Sequence, residues 1–303
     1  MKGGVFALGN FDGVHRGHQA VIRAAVHKAR ELAAPARALT FEPHPRMFFH
    51  PKSAPFRLTP YPIKEALLKE LGADEVIPLP FTAELAHMPA EKFVEDVLIG
   101  QFGAQHLVAG HDFIFGFKRG GDMAKLHAWL EPKGIGVTEI EPQGDGGEVF
   151  SSSEARELLL EGEVEAAAVI LGRKWALQGK VVHGEARGHI VGIPTANISL
   201  DDYLRPKFGV YAIEAGRVGE PMSYRGVANI GLRPTVDGKT ENLEAHLFNF
   251  HEDIYGQEWQ FALAHFIRPE LKFDNLNDLK AQILKDIEGE NNYLATPKHN
   301  IKK

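Results

Sequence analysis

Residues Val5–His18 read VFALGNFDGVHRGH, and the architecture of the first half of the chain is decided there. Val5, Phe6, Ala7 and Leu8 form a short apolar run, the pattern of a buried strand. Gly9 breaks it, and Asn10, Phe11, Asp12 and Gly13 make a turn from residues that tolerate unusual backbone angles. Beyond Gln19, the residues Val21, Ile22, Ala25, Ala29 and Leu32 recur at helical spacing, which predicts a helix from about His18. His15 and His18 therefore fall at or just before a helix N-terminus, where open backbone N–H groups and the helix dipole favour an anion. Gly17 leaves room for a phosphate to approach the backbone. A strand, a glycine turn and two imidazoles at a helix start suggest a phosphate site. By itself, H-x-G-H reads equally well as a helix-capping pair or as a metal pair lacking further ligands.

Working outward, strand-like runs alternate with helical ones. Ala36–Phe41 is a second strand, ended by prolines 43 and 45 in a rigid loop that carries His44. Pro62–Leu71 is a helix closed by Gly72, Glu75–Leu79 a third strand, Ala90–Leu98 a helix and His106–Ala109 a fourth strand. The glycine-rich segment GHDFIFGFKRGGD follows, then a helix from Met123 and a last strand at Gly136–Ile140. Such alternation argues for a parallel α/β sheet with ligands at the carboxyl ends of its strands. Ser151–Leu171 is helical with an interruption at Gly162, its serines placed to cap. After about Gly172 the texture changes to short β-type runs separated by glycine, at Gly179–His183, Gly209–Ala215, Tyr224–Ile230, Leu243–Phe250 and Gln260–Ile267. That is the pattern of an antiparallel barrel or sandwich. An amphipathic helix over Leu276–Ile287 closes the chain. Two domains result, with a boundary near Leu171–Trp175.

Composition narrows the function classes. Of 303 residues, 44% are apolar, enough to bury an ordinary core. The balance of 34 basic against 40 acidic residues gives a formal charge of −6, which argues against a dedicated nucleic-acid binder but not against a local nucleotide pocket. With no cysteine, disulfides, thiolate metal sites and a catalytic thiol are excluded. No apolar run approaches the ~20 residues of a bilayer span, and the N-terminus lacks the regions of a signal peptide. A cytoplasmic protein without membrane partner or obligate protein partner is expected. Nothing resembles a Walker lysine loop, so an ordinary P-loop kinase is not expected.

GNFDGVHRGH, TFEPHP, GHDFIFG, SSSEAR and LGRKWALQG are followed by GIPTANI, FGVYA, GVANIGLRPT, LEAHLFNF, DIYG and IRPELKFDNLNDLKAQI. In this order and spacing the chain resembles the bacterial bifunctional riboflavin kinase/FMN adenylyltransferases (FAD synthetases) over essentially its whole length. The resemblance implies an α/β fold. It further implies a Rossmann-like nucleotidylyltransferase domain over residues 1–172 that adenylylates FMN, and an antiparallel β-barrel riboflavin kinase domain with a terminal helix over residues 173–303. ATP is then the co-substrate, riboflavin, FMN and FAD the flavin substrates and products, and Mg²⁺ the metal.

On the same basis Gly9, Phe11 and Asp12 shape the first ATP pocket, and His15 and His18 stabilise the pentacovalent phosphorus. Ser151, Ser152, Ser153 and Arg156 match an S-S-T-x-x-R motif that grips the phosphates from the opposite side. Alone, that stretch reads better as a serine cap followed by a surface arginine. It departs from the family in its third hydroxyl, serine for threonine, and in Glu154 at an often basic position. Asp112 matches a position of the flavin and ATP pocket, with an Asx turn as its plainer reading. In the second half the resemblance makes Glu244 the general base for the 5′-hydroxyl of riboflavin, although a carboxylate on a β-strand is by itself more often a surface residue. Thr195 and Asn197 would hold magnesium, two oxygen donors sharing one face if the segment is extended. An isolated P-T-A-N would instead be a turn. Gly184, Arg187 and Gly192, with Gly188, lie on a glycine-rich loop that would close over the nucleotide, where His189 replaces a commonly basic residue. Arg268 is a flavin or phosphate contact. Two alternatives stay open: a chain in which only the kinase is active, and a flavin-binding sensor or carrier without turnover.

Overall fold

The computed structural model describes residues 3–145, 148–183, 195–235 and 238–271, with positions 282 and 285. The chain divides into two compact units, one of Met1–Glu154 with Ile170–Gly172 and one of Ala155–Val169 with Arg173–Lys303.

The first unit runs β1 (Val5–Leu8), α1 (Arg16–Glu31), β2 (Ala36–Glu42), α2 (Pro45–Phe49), α3 (Tyr61–Glu70), β3 (Glu75–Pro80), α4 (Ala83–Ala86) and α5 (Ala90–Lys92). It continues through a π-helical stretch, Phe93–Gln101, into β4 (His106–Gly110), α6 (Met123–Leu130), β5 (Gly136–Ile140) and a short ladder of β6 (Gly144–Asp145) with β7 (Glu148–Val149). The five main strands are all parallel, in the order β3-β2-β1-β4-β5. The burial of β1 explains its unbroken apolar sequence. Phe6 and Leu8 enter one core with Phe93, Val94, Leu98 and Leu126, while Val5 and Ala7 enter another with Val21, Ile22, Ala25 and Leu68. A strand covered on both faces has no polar side to alternate with. β3 tolerates Pro78 because it is the edge strand, where a missing ladder N–H is cheap.

One expectation is corrected here. Where prolines 43 and 45 predict a loop, residues 45–49 form a short helix. Pro45 sits in its first turn, where an absent N–H breaks no helical bond, and His44 Nδ1 accepts from Arg46 N at 3.1 Å.

The helices α7 (Ser152–Glu161) and α8 (Val164–Leu171) are separated at Gly162, whose φ of +85° suits glycine. The second unit then forms β8 (Ala176–Lys180), β9 (Ala196–Ser199), β10 (Gly209–Arg217), β11 (Tyr224–Thr235), β12 (Gly238–Leu247) and β13 (Glu258–Arg268). These pair antiparallel in the order β8-β13-β10-β11-β12-β9. Val182 N, just beyond β8, donates to Asn197 O of β9 at 2.8 Å, so the two end strands meet and the sheet nearly closes into a barrel. The first β-run is shifted from its expected place at Gly179–His183. Pairing with Glu258–Ala262 fixes it at Ala176–Lys180. The run expected over Leu243–Phe250 begins earlier and stops at Leu247, and β9 was not among the expected runs. The helix expected over Leu276–Ile287 lies outside the described residues, apart from Gln282 and Lys285. Among the described residues no helix is long and apolar enough to cross a membrane.

Candidate active site

In the parallel-sheet unit the strand order reverses between β1 and β4, and ligands of such sheets lie at the carboxyl ends of the strands at that point. The turn Gly9–Gly13 leaves β1 there, and the segment carrying Asp112 leaves β4. Asp112 itself is exposed. The turn is tightly folded, with φ of +51° at Phe11, +83° at Gly13 and +43° at Val14. Non-glycine residues rarely adopt such angles, and here the burial of Phe11 and Val14 holds them.

Asp12 is 3% exposed, and its carboxylate faces protein. Oδ1 accepts from Leu58 N and Thr59 N at 3.0 and 2.9 Å, and Thr59 Oγ1 in turn receives Gly13 N at 2.9 Å. Asp12 thus fixes the turn to residues 58–59. Beneath it lies Lys64, 2% exposed, which the sequence did not single out. Lys64 Nζ donates to Glu42 Oε1 at 2.7 Å, Thr40 Oγ1 at 3.0 Å and Asn10 O at 3.2 Å. Arg57 completes the cluster through Glu42 Oε2 at 2.7 Å. Burial draws the Lys64 ammonium below its usual pKa, with Glu42 pulling it back up.

His15 is the N-cap of α1: its Nδ1 accepts from His18 N at 3.4 Å, which places the proton of a neutral His15 on Nε2. The two imidazoles stack with centroids 3.7 Å apart, and Phe11 packs edge-on to His18 at 5.3 Å. Capping and clustering at the anion-favouring helix end are thus both satisfied. A Cβ at Gly17 would lie 3.0 Å from His15 Cε1 and 3.1 Å from Nδ1, so the glycine also makes room for the folded-back imidazole. Ser152 Oγ donates to Asp12 O at 2.8 Å, which brings the start of α7 to the same turn. Ser151 Oγ accepts from Glu154 N at 3.1 Å as a helix cap, and Ser153 is exposed. Glu154 therefore occupies the first turn of α7, where the dipole favours a carboxylate. Arg156 lies one turn further along the same helix, in the second compact unit.

In the barrel, cross-strand register makes a single rung of Asn197 on β9, Glu244 on β12, Asn229 on β11, Val210 on β10 and Arg268 on β13. Residues directly opposite share a face. Their neighbours Ile198, Ala228, Ile230, Leu243 and Ala245 are buried in the barrel core, so this rung forms the other face. Thr195 Oγ1 donates to Glu244 Oε1 at 2.8 Å. Thr195 is itself held from behind, since Tyr255 Oη donates to its carbonyl at 3.2 Å while the Tyr255 ring stacks on His183 at 3.6 Å. Asn229 Nδ2 donates to Glu270 Oε1 at 3.1 Å. Asn197 is 2% exposed; Asn242 Nδ2 donates to its Oδ1 at 3.0 Å, and its own Nδ2 has no partner among the described residues. Register thus brings Asn197, Glu244, Asn229 and Arg268 onto one rung, and hydrogen bonds join Thr195 and Asn242 to it and Tyr255 to Thr195. Gly184, Arg187, Gly188, His189 and Gly192 lie outside the described residues.

Two family models match in succession: FAD synthetase over residues 1–154 and riboflavin kinase over residues 171–294. The chain is 39% identical over 288 residues to the bifunctional riboflavin kinase/FMN adenylyltransferase of Haemophilus influenzae, covering 95% of this chain and 93% of that one. It is 37% identical over 287 residues to the protein of that name from Bacillus subtilis, covering 93% and 90%. Among solved structures it is similar to one described as a macrolide-efflux protein from Streptococcus pneumoniae. That match has a TM-score of 0.84 at 32% identity and covers 96% of this chain and 94% of the other. With a doubly wound unit matched to FAD synthetase, a barrel matched to riboflavin kinase and full-length relatives that join the two, the chain belongs to the bifunctional riboflavin kinase/FMN adenylyltransferase family.

Proposed function

We propose that this chain phosphorylates riboflavin to FMN with ATP in its barrel unit and adenylylates FMN to FAD, releasing pyrophosphate, in its parallel-sheet unit. The observation that carries the reading is the Thr195–Glu244 pair at 2.8 Å beside a buried Asn197, because mere retention of a flavin needs neither a base nor a cation site. Glu244 orients the ribityl 5′-hydroxyl and takes its proton as that oxygen attacks the γ-phosphorus and ADP leaves. The Thr195 hydroxyl donates its hydrogen bond to Glu244, so its lone pairs suit a hard cation, and the Asn197 amide oxygen supplies a second ligand. A bound Mg²⁺ would neutralise phosphate charge there. Gly184, Arg187 and Gly192 are assigned to the nucleotide, and Arg268 to flavin or phosphate.

In the first unit, FMN phosphate attacks the α-phosphorus of ATP. His15 and His18 donate hydrogen bonds as charge builds on its oxygens, Gly9, Phe11 and Asp12 form the pocket wall, and Ser151, Ser152 and Ser153 serve the phosphates. Asp112 is assigned to the flavin. We place the functional boundary at 1–172 and 173–303. The net charge of −6 supports small-molecule partners over nucleic acid, and substrates of this kind, ATP above all, suit a cytoplasmic setting.

Incubation of the purified protein with riboflavin, ATP and Mg²⁺, resolved by chromatography, should yield FMN and then FAD. FMN without FAD would leave the kinase alone active, and no conversion would favour a sensor or carrier. A finer test separates the first site from its scaffold. Gly17→Ala should improve the intrinsic helix propensity of α1 by up to about 1 kcal/mol, yet the new methyl displaces His15. FAD formation from supplied FMN should fall about tenfold or more while FMN formation is unchanged. Unaltered adenylylation kinetics would refute the role given to the His15 geometry.

A further inference from the structure

The Asn197 amide poses a problem that the proposed chemistry alone does not resolve. In the structure its Oδ1 is taken by Asn242, while the Nδ2 end is buried without a partner among the described residues. Leaving a buried N–H₂ unpaired is costly, and a cation held by Asn197 would need its amide oxygen free of the Asn242 donor. Both demands are met if the two amides rotate together. Asn197 Nδ2 then donates to Asn242 Oδ1, and Asn197 Oδ1 takes the direction that Nδ2 held before. Only a side chain that both donates and accepts can support each arrangement, and an asparagine does so without adding charge. Its place on β12 suits the task. Asn242 pairs with Ser199 and Glu244 pairs with Asn197, so Asn242 lies one same-face step from Glu244 and reaches Asn197 diagonally.

We propose that Asn242 is a positioning residue of the kinase site, an amide relay that holds the Asn197 oxygen toward the divalent cation when it binds and re-pairs that oxygen when it leaves. This rests on the kinase reading above.

The test uses the full chain and Mn²⁺ as the probe, with ADP present and free Mn²⁺ followed by electron paramagnetic resonance. The class of bound Mn²⁺ that disappears in Thr195→Val defines the kinase-site signal. Asn242→Leu removes the relay without changing charge and should weaken that class about tenfold. Asn242→Asp, which can only accept and so holds the Asn197 oxygen outward, should bind at least as tightly as the unsubstituted protein. Adenylylation of supplied FMN reports that each variant is folded. Equal Mn²⁺ affinity in Asn242→Leu and the parent overturns the relay, as does equal weakening in the Leu and Asp variants, which would mark a packing role. Absence of any Thr195-dependent class in the parent overturns the cation reading itself, a result distinct from either of these.

Discussion

Glu244→Gln is expected to reduce FMN formation from riboflavin about a thousandfold, within the range set by loss of a positioned acid or base, while FAD formation from supplied FMN is unchanged. Glutamine is nearly isosteric, and its amide oxygen can still accept the Thr195 hydroxyl that now lies 2.8 Å from Glu244 Oε1. The rung Asn197–Glu244–Asn229 is set by backbone pairing on both sides of β12 and does not depend on the charge. What disappears is the carboxylate: its capacity to take the proton of the 5′-hydroxyl and to align that oxygen with the γ-phosphorus. The effect should therefore fall on kcat, with the KM for riboflavin moving less than threefold or so. Measuring both half-reactions on one preparation supplies the internal control. A loss of less than tenfold would remove Glu244 from the chemistry. Loss of both activities in a folded protein would contradict two separate sites.

How much of this was legible in the sequence follows from how local each determinant is. β1 was plain because Val5 to Leu8 are buried on both faces and nothing polar interrupts them. The parallel strands were placed to within a residue because each is a short run bounded by turn residues, whereas α2 and α4 were not expected and the helix expected over Ala90–Leu98 runs on as a π-helical stretch to Gln101; the Gly162 break between α7 and α8 is a single-residue event. The barrel strands were blurred at their ends because pairing partners, not composition, decide where β8 and β12 stop. β9 is four residues long and carries Asn197 in its middle, too short and too polar to announce itself. In the site, the residues that resemblance supplied were at hand, but their supports were not. Lys64 reaches Asn10 across 54 positions, and Tyr255 reaches Thr195 across 60. No local pattern marks such contacts. Lys64 could only read as a solvated lysine of an amphipathic helix, and Asn242 as an ordinary polar residue on a strand.

Lys64→Met should lower the stability of the parallel-sheet unit by about 3 kcal/mol, at the lower end of what breaking a buried ion pair costs. The magnitude follows from what is left behind. Methionine fills similar volume without a cavity, and Glu42 keeps Arg57 on Oε2. Glu42 Oε1 loses its 2.7 Å partner, while the Asn10 carbonyl retains Thr40 Oγ1 at 3.0 Å. One half-compensated carboxylate oxygen is thus the main cost. Native-state hydrogen exchange read by mass spectrometry should show lost protection in β1, β2 and α3 with the barrel strands unchanged, since the cluster lies wholly in the first unit. Glu42→Gln combined with Lys64→Met should be less destabilised than the sum of the single changes, because the second substitution neutralises the group the first one stranded. Titration adds a signed check. Burial lowers the Lys64 pKa in the fold, so approaching the unfolded value near 10.5 from below the unfolded chain binds more protons than the folded one. Stability contributed by this residue then rises with pH. The gap between the parent and Lys64→Met should accordingly widen in that window. A gap that is constant or narrows there would mean the ammonium is fully compensated by Glu42, and a variant as stable as the parent would mean that the cluster beneath the Gly9–Gly13 turn holds nothing in place.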